Sequence, residues 1–144
     1  MNWTFENAAP VIGTITEGNA WDGERLLYSN IAMNRIMSLD PNVGLVEVWR
    51  EDTEGTNGLN FDSEGNLFGC SGGGRKIVRF DPNDEMITIA DRVDGRRLNS
   101  PNDLAITPSG SIYFSDRVGD VNPDVGINYS AIISAEPQED GSYQ

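Results

Sequence analysis

Short apolar strands separated by glycine-containing turns run through most of the chain. The clearest unit has four parts in order: a turn with glycine, an apolar strand, a second strand in which apolar and polar residues alternate, and a stop such as Asp-Pro. Alternation and short apolar runs between turn residues are typical of β-strands. No segment shows the period of an amphipathic helix. The pattern therefore predicts an all-β protein.

This unit recurs about every forty residues, as Asp40-Pro41 and Asp81-Pro82 show. A third copy begins near Thr107 and resumes at Tyr129 after an irregular insert. Short strands with turns at this period are typical of a β-propeller, in which each repeat forms one blade of four strands. We therefore predict one partial propeller domain with three blades, at about 15–50, 55–92 and 98–144.

A propeller blade buries both of its faces against neighbouring blades. Propellers close into a ring with at least about four blades, and three are visible in this sequence. The chain is therefore expected to be either part of a longer protein or a unit that self-associates to close a ring.

The chain is strongly acidic, with 23 Asp and Glu residues against 10 Lys and Arg residues and a formal net charge of −13. A protein of this charge repels nucleic acid and anionic lipid surfaces, so we expect neither a nucleic acid nor a membrane as a partner. The start of the chain lacks a basic segment followed by an apolar run, and no stretch is long enough to span a membrane. The sequence therefore predicts a cytoplasmic protein.

The chain contains no histidine and a single cysteine, Cys70. Without histidine, no Ser-His-Asp or Cys-His catalytic arrangement can form, and one cysteine makes neither an intramolecular disulfide nor a Cys-x-x-Cys zinc site. Chemistry would have to rest on carboxylates, amides, hydroxyls, arginine or a bound hard cation. We place Cys70 at the end of an inner strand facing the channel and interpret it as a small apolar residue rather than a nucleophile.

Three successive repeats carry oxygen-bearing side chains where their first strands begin, at Glu17, Asn57 and the pair Asn102-Asp103. In a propeller, these strand starts surround the central channel. Oxygen donors that converge from separate blades are suited to Ca²⁺, which takes roughly 6–8 oxygen ligands. A carboxylate such as Asp103 can also orient or deprotonate a water molecule. Asp116, which we place at the end of an inner strand, fits a pocket wall and a simple strand-terminating aspartate about equally well.

Five motifs support a resemblance to a known family. They are Thr16-Glu17-Gly18 with Trp21, Thr56-Asn57-Gly58-Leu59, Asp62 with Gly65-Asn66-Leu67, the run from Gly72 to Arg79, and the run from Arg97 to Leu104. Together they resemble the SMP-30/gluconolactonase/LRE family of six-bladed propellers, and the last motif is the strongest. The resemblance covers nearly all of this chain but only about the first half of a family member.

The resemblance implies a lactonase that hydrolyses a sugar lactone or related cyclic ester with the help of Ca²⁺ or another divalent cation. Glu17 would be a direct metal ligand, Asn102 would bind the metal or the lactone, and Asn57 would contact the substrate. Asp103 would be the catalytic residue that positions or activates water. The alternative that stays open is a non-catalytic propeller module that binds a small ligand or a protein, because the propeller fold carries many unrelated functions.

Overall fold

The computed structural model describes residues 2–10, 15–83, 85–118 and 126–144. Apart from a single 3₁₀ turn at Ile31–Met33, the regular structure of these residues consists of β-strands. The all-β prediction is therefore confirmed. The part of the predicted third blade at 119–125 lies outside the described residues. Within the described ranges, no helix has the length and hydropathy that a membrane span requires.

Three antiparallel sheets follow one another along the chain, and we number them blades 1 to 3. Blade 1 contains β1 (Thr16–Trp21), β2 (Leu26–Asn30), β3 (Arg35–Asp40) and β4 (Leu45–Glu51). Blade 2 contains β5 (Thr56–Phe61), β6 (Leu67–Ser71), β7 (Lys76–Phe80) and β8 (Met86–Ala90). A two-stranded ribbon follows, formed by β9 (Arg92–Val93) and β10 (Arg96–Arg97). Blade 3 contains β11 (Pro101–Ile106), β12 (Ile112–Asp116) and β13 (Ala131–Ala135). In every blade, each strand pairs with the next one along the chain.

The turns between the first two strands of each blade depend on glycine at a left-handed backbone position. Gly65, between β5 and β6, has a φ of 86°, and Asp62 Oδ1 accepts hydrogen bonds from the N–H groups of Glu64 and Asn66 at 2.9 and 2.8 Å. Gly23 and Gly110 take the corresponding places in blades 1 and 3, with φ values of 105° and 90°. These turns set the pairing of the first strand with the second in each blade.

Hydrophobic cores lie between neighbouring blades. The core between blades 1 and 2 contains Ala20, Leu27, Ile36, Leu59, Leu67, Val78 and Phe80. The core between blades 2 and 3 contains Phe68, Cys70, Ile77, Leu98, Leu104, Ile112, Phe114 and Ala135. Trp49 of β4 extends the first core, and its ring lies nearly perpendicular to the Phe80 ring with centroids 5.9 Å apart. Burial between the blades holds their first strands side by side, where the predicted site residues lie.

Candidate functional site

The first strands of the three blades, β1, β5 and β11, lie next to one another, and β5 contacts both of the others. Each strand carries a bulge at the same place, where its pairing with the second strand slips. The slip falls between Glu17 and Ala20, between Thr56 and Leu59, and between Pro101 and Leu104. A bulge bends its strand and redirects side chains at that point. A bulge therefore occurs at the equivalent position in all three blades.

The register makes Glu17, Asn57 and Asn102 equivalent residues. Each follows directly after a residue that pairs with the last residue of the second strand: Thr16 with Asn30, Thr56 with Ser71, and Pro101 with Asp116. The prediction that these three side chains stand at the start of equivalent, neighbouring strands is therefore confirmed. Their chemical roles stay predictions.

Two glycines allow the bulges to approach one another closely. A methyl group at Gly18 would collide with the carbonyl group of Asn57, and one at Gly58 would lie 2.6 Å from the Cα of Asp103. The equivalent residue in blade 3 is Asp103 itself, whose side chain is exposed. Because these two glycines have no side chains, the starts of the three strands can lie close together.

The side chains of Glu17, Asn57 and Asn102 remain available to a ligand. Glu17 is exposed, and the two asparagines are partly exposed. In the part of the chain that the structure describes, none of these three side chains forms a hydrogen bond or an ion pair. The Asn57 carbonyl group, by contrast, accepts a hydrogen bond from the buried hydroxyl of Ser29 in blade 1. The backbone at this position is fixed while the polar side chains face no protein partner.

Asp103 is held mainly through its backbone. Its N–H group donates to Oγ of Ser115 at 3.2 Å, and its Oδ1 accepts a hydrogen bond from the N–H group of Leu104 at 2.9 Å. Among the described residues, Oδ2 has no hydrogen-bond partner. An exposed carboxylate oxygen on a fixed backbone can orient a water molecule or accept its proton.

Asp116 faces the protein interior. It ends β12, the second strand of blade 3 and not an inner one, and its side chain is almost fully buried at 1% exposure. Its Oδ2 accepts a hydrogen bond from the N–H group of Asn99 at 2.8 Å, and its Oδ1 accepts one from Ser100 at 2.6 Å. The interpretation as a pocket wall is therefore wrong. The sequence signal that could have indicated a holding role is the repeat itself, because polar Asn30 and Ser71 occupy the same position.

Cys70 lies in β6, the second strand of blade 2, and is fully buried in the core between blades 2 and 3. The expectation that it ends an inner strand and faces the channel is therefore wrong. Burial raises the pKa of the Cys70 thiol well above its usual range, and the negative charges of Asp103 and Asp116 raise this pKa further. A protonated, buried thiol is unreactive, which agrees with the apolar role expected from the sequence.

A family model for the SMP-30/Gluconolactonase/LRE-like region matches residues 15–140. The chain belongs to this family. The match spans strands of all three blades and includes Glu17, Asn57, Asn102 and Asp103. The resemblance seen in the sequence motifs is therefore confirmed.

Individual members of the SMP-30/gluconolactonase family show how much of a relative this chain represents. Gluconolactonase from Zymomonas mobilis is 28% identical over 142 residues, which cover 85% of this chain and 40% of that protein. A solved gluconolactonase from Xanthomonas campestris is 31% identical with a TM-score of 0.74, covering 90% of this chain and 46% of that one. The chain spans less than half the length of each. The structural likeness confirms the propeller prediction.

A second solved structure shares the fold alone. Regucalcin from Agrobacterium tumefaciens, described as a calcium-binding protein, is 21% identical with a TM-score of 0.58, covering 76% of this chain and 40% of that one. The calcium binding belongs to that protein's description, and the shared architecture does not transfer it.

The polar side chains at the three bulges offer oxygen atoms of the kind that a hard divalent cation binds. Glu17 and Asp103 offer carboxylate oxygens, and Asn57 and Asn102 offer amide oxygens, which are the ligands that Ca²⁺ prefers. Within the described ranges, no three His, Cys, Asp or Glu side chains form a group that could hold a metal ion. The residues present therefore fit part of the roughly 6–8 oxygens that Ca²⁺ takes.

Proposed function

We propose that this chain forms part of a lactonase that hydrolyses a sugar lactone or a related cyclic ester with the help of a divalent cation, Ca²⁺ first among them. The observation that carries the proposal is the shared bulge. Three neighbouring strands present Glu17, Asn57 and Asn102 from equivalent positions. No described residue forms a hydrogen bond or an ion pair with these side chains. Membership of a family with gluconolactonases among its members supports the same activity.

Each polar residue at the bulge has a role in this proposal. Glu17 and Asn102 would hold the cation, which when bound supplies a positive charge that polarises the lactone carbonyl group and stabilises the developing oxyanion. Asn57, and Asn102 where it is not bound to the cation, would orient the lactone through their amide groups. Asp103 would hold a water molecule through Oδ2 and take its proton as the water attacks the carbonyl carbon. As the ring C–O bond then breaks, Asp103 would return this proton to the leaving alkoxide oxygen, which gives the open-chain hydroxy acid. The mechanism needs no histidine.

The proposal requires further oxygen ligands for the cation, beyond those of the three bulges. The residues at the three bulges supply a partial coordination sphere, so the remaining ligands would come from a second copy of the chain or from further blades. Self-association that closes the ring, like the cytoplasmic location expected from the sequence, stays a prediction.

A non-catalytic module that binds a small ligand is the second candidate. The observation that favours it is the absence, among the described residues, of any group of three acidic, histidine or cysteine side chains able to hold a metal ion. This candidate predicts ligand binding at the bulges without turnover of a lactone.

Proton release from D-glucono-1,5-lactone in weak buffer distinguishes the two candidates. Ca²⁺ is first removed with a chelator and then added stepwise, and the rate of spontaneous lactone hydrolysis is subtracted. We expect saturable, Ca²⁺-dependent turnover that Asp103→Asn lowers by about a hundredfold, while Glu47→Gln, a change at an exposed glutamate on β4, leaves turnover unchanged. Turnover at the wild-type rate in Asp103→Asn would show that the role given to this carboxylate is wrong. Absence of turnover at every Ca²⁺ concentration would favour the binding module.

A further inference from the structure

The last two residues of β12 hold the segment that carries Asn102 and Asp103. Asp116 accepts hydrogen bonds from the N–H groups of Asn99 and Ser100 at 2.8 and 2.6 Å, and Ser115 Oγ accepts one from the N–H group of Asp103 at 3.2 Å. Both ends of the segment from Asn99 to Asp103 are therefore fastened to the same strand end. These three bonds, together with the pairing of Pro101 with Asp116, hold the backbone around the two site residues.

Blade 2 fastens the same segment with different chemistry. In blade 2 the equivalent of Asp116 is Ser71, which is also fully buried. Its Oγ donates to the carbonyl oxygen of Glu54 at 3.1 Å and accepts a hydrogen bond from the N–H group of Gly74 at 3.1 Å. A serine therefore suffices to hold the approach to a first strand. Blade 3 uses a buried carboxylate at this place, and the carboxylate holds two consecutive N–H groups.

A carboxylate is the side chain that this geometry requires. Each of its two oxygens accepts one N–H group, Oδ1 from Ser100 and Oδ2 from Asn99. An asparagine has the same shape but one acceptor oxygen, and its NH₂ group would face one of the two N–H groups donor to donor. The change Asp116→Asn therefore removes one fastening bond with almost no change in volume.

We propose that Asp116 is a positioning residue of the active site, which fixes the orientation of Asn102 and Asp103 through the backbone of Asn99 and Ser100. The proposal rests on the proposed lactonase function. Asp116 is buried and does not contact the substrate. Its effect on turnover passes through the two residues that do.

A double-mutant cycle that measures the rate of lactone hydrolysis tests the coupling between Asp116 and Asp103. We expect Asp116→Asn alone to lower kcat by about tenfold and to change KM by less. In the Asp103→Asn background the same change should lower kcat by a smaller factor, about threefold, because only Asn102 is left for Asp116 to position. The control Ser111→Ala removes a buried hydroxyl just before the opposite end of β12 and should leave kcat unchanged. A loss of kcat by the same factor in both backgrounds would overturn the proposal.

Amide hydrogen exchange tests the positioning without any need for turnover. In the wild-type chain we expect slow exchange at Ser100 and Asp103, faster exchange at both in Asp116→Asn, and no change at either in Ser111→Ala. If Asp116→Asn does not fold, Asp116→Ser serves instead, because serine is the residue that blade 2 carries at the equivalent position. Unchanged exchange at Asp103 in the variant tested would overturn the positioning role. A wild-type chain without turnover would mean that this chain alone does not act as a lactonase, and it would leave this second test decisive.

Discussion

Blades 2 and 3 share one backbone plan and differ in what they place on it. Both begin their first strand with a bulge after the same register position, and both end their second strand with a buried polar residue. In blade 2 the residue after the equivalent asparagine is Gly58, which has no room for a side chain. In blade 3 it is Asp103, an exposed carboxylate. The repeat places these two residues equivalently, and the difference between glycine and aspartate decides whether a carboxylate is present there.

The two blades also differ in how far they are covered. All five residues of β6 are buried, because blade 2 lies between two neighbours. In blade 3 the face away from blade 2 exposes Tyr113 at 45% and Ile132 at 73%. Exposed apolar residues on a sheet face indicate a surface that packs against something else. This difference teaches that blade 3 presents both the proposed catalytic carboxylate and a surface where the next part of a propeller would pack.

The largest effect should come from removing a side chain at the covered interface. Ile77→Ala empties a fully buried position between blades 2 and 3 and should lower the free energy of unfolding by about 4 kcal/mol. Ile132→Ala, on the open face, should change it by less than about 0.5 kcal/mol. Urea unfolding of both variants measures the contrast. Equal losses would mean that the Ile132 face is covered in solution.

A smaller effect should distinguish the two residues at the bulge. Gly58→Ala places a methyl group 2.6 Å from the Cα of Asp103 and should lower the free energy of unfolding by about 2 kcal/mol. Asp103→Ala, at the equivalent position of blade 3, should lower it by less than about 1 kcal/mol because that side chain is exposed. Equilibrium denaturation again provides the comparison. A harmless Gly58→Ala would show that the strands do not approach so closely.

The smallest effect concerns Cys70 at the boundary between the two blades. Since burial raises its pKa in the folded protein, the folded chain keeps the thiol proton at a pH where the unfolded chain loses it. The free energy of unfolding should therefore fall as the pH rises above the ordinary thiol pKa of about 8.5. Cys70→Ala should lack this part of the decline between about pH 8 and pH 9.5. Rapid labelling of Cys70 by a thiol reagent in the folded protein would contradict its burial.

The repeat made much of the fold predictable. Turn glycines such as Gly23 and Gly65 and the Asp-Pro stops mark the ends of short strands, and the period of about forty residues groups these strands into blades. The placement of Glu17, Asn57 and Asn102 followed from aligning the repeats. Such an alignment requires no knowledge of packing.

The sequence pattern does not predict the contacts between repeats. The sequence pattern predicts the wrong strand for Cys70, because an apolar run such as Leu67–Ser71 does not reveal whether it is the first or the second strand of its blade. The role of Asp116 depends on which way a buried carboxylate turns, and two backbone N–H groups from a preceding loop decide this. The need for glycine at Gly18 and Gly58 likewise appears only when neighbouring strands are seen together.

Calcium binding to the chain, measured by calorimetry, tests the central claim that the bulges of neighbouring strands form one oxygen site. We expect the wild-type chain to bind Ca²⁺, Glu17→Gln to weaken binding by at least about tenfold because a charged ligand is lost, and Glu47→Gln to bind as the wild type does. Equal affinities in all three proteins, or no binding by the wild type, would contradict the claim.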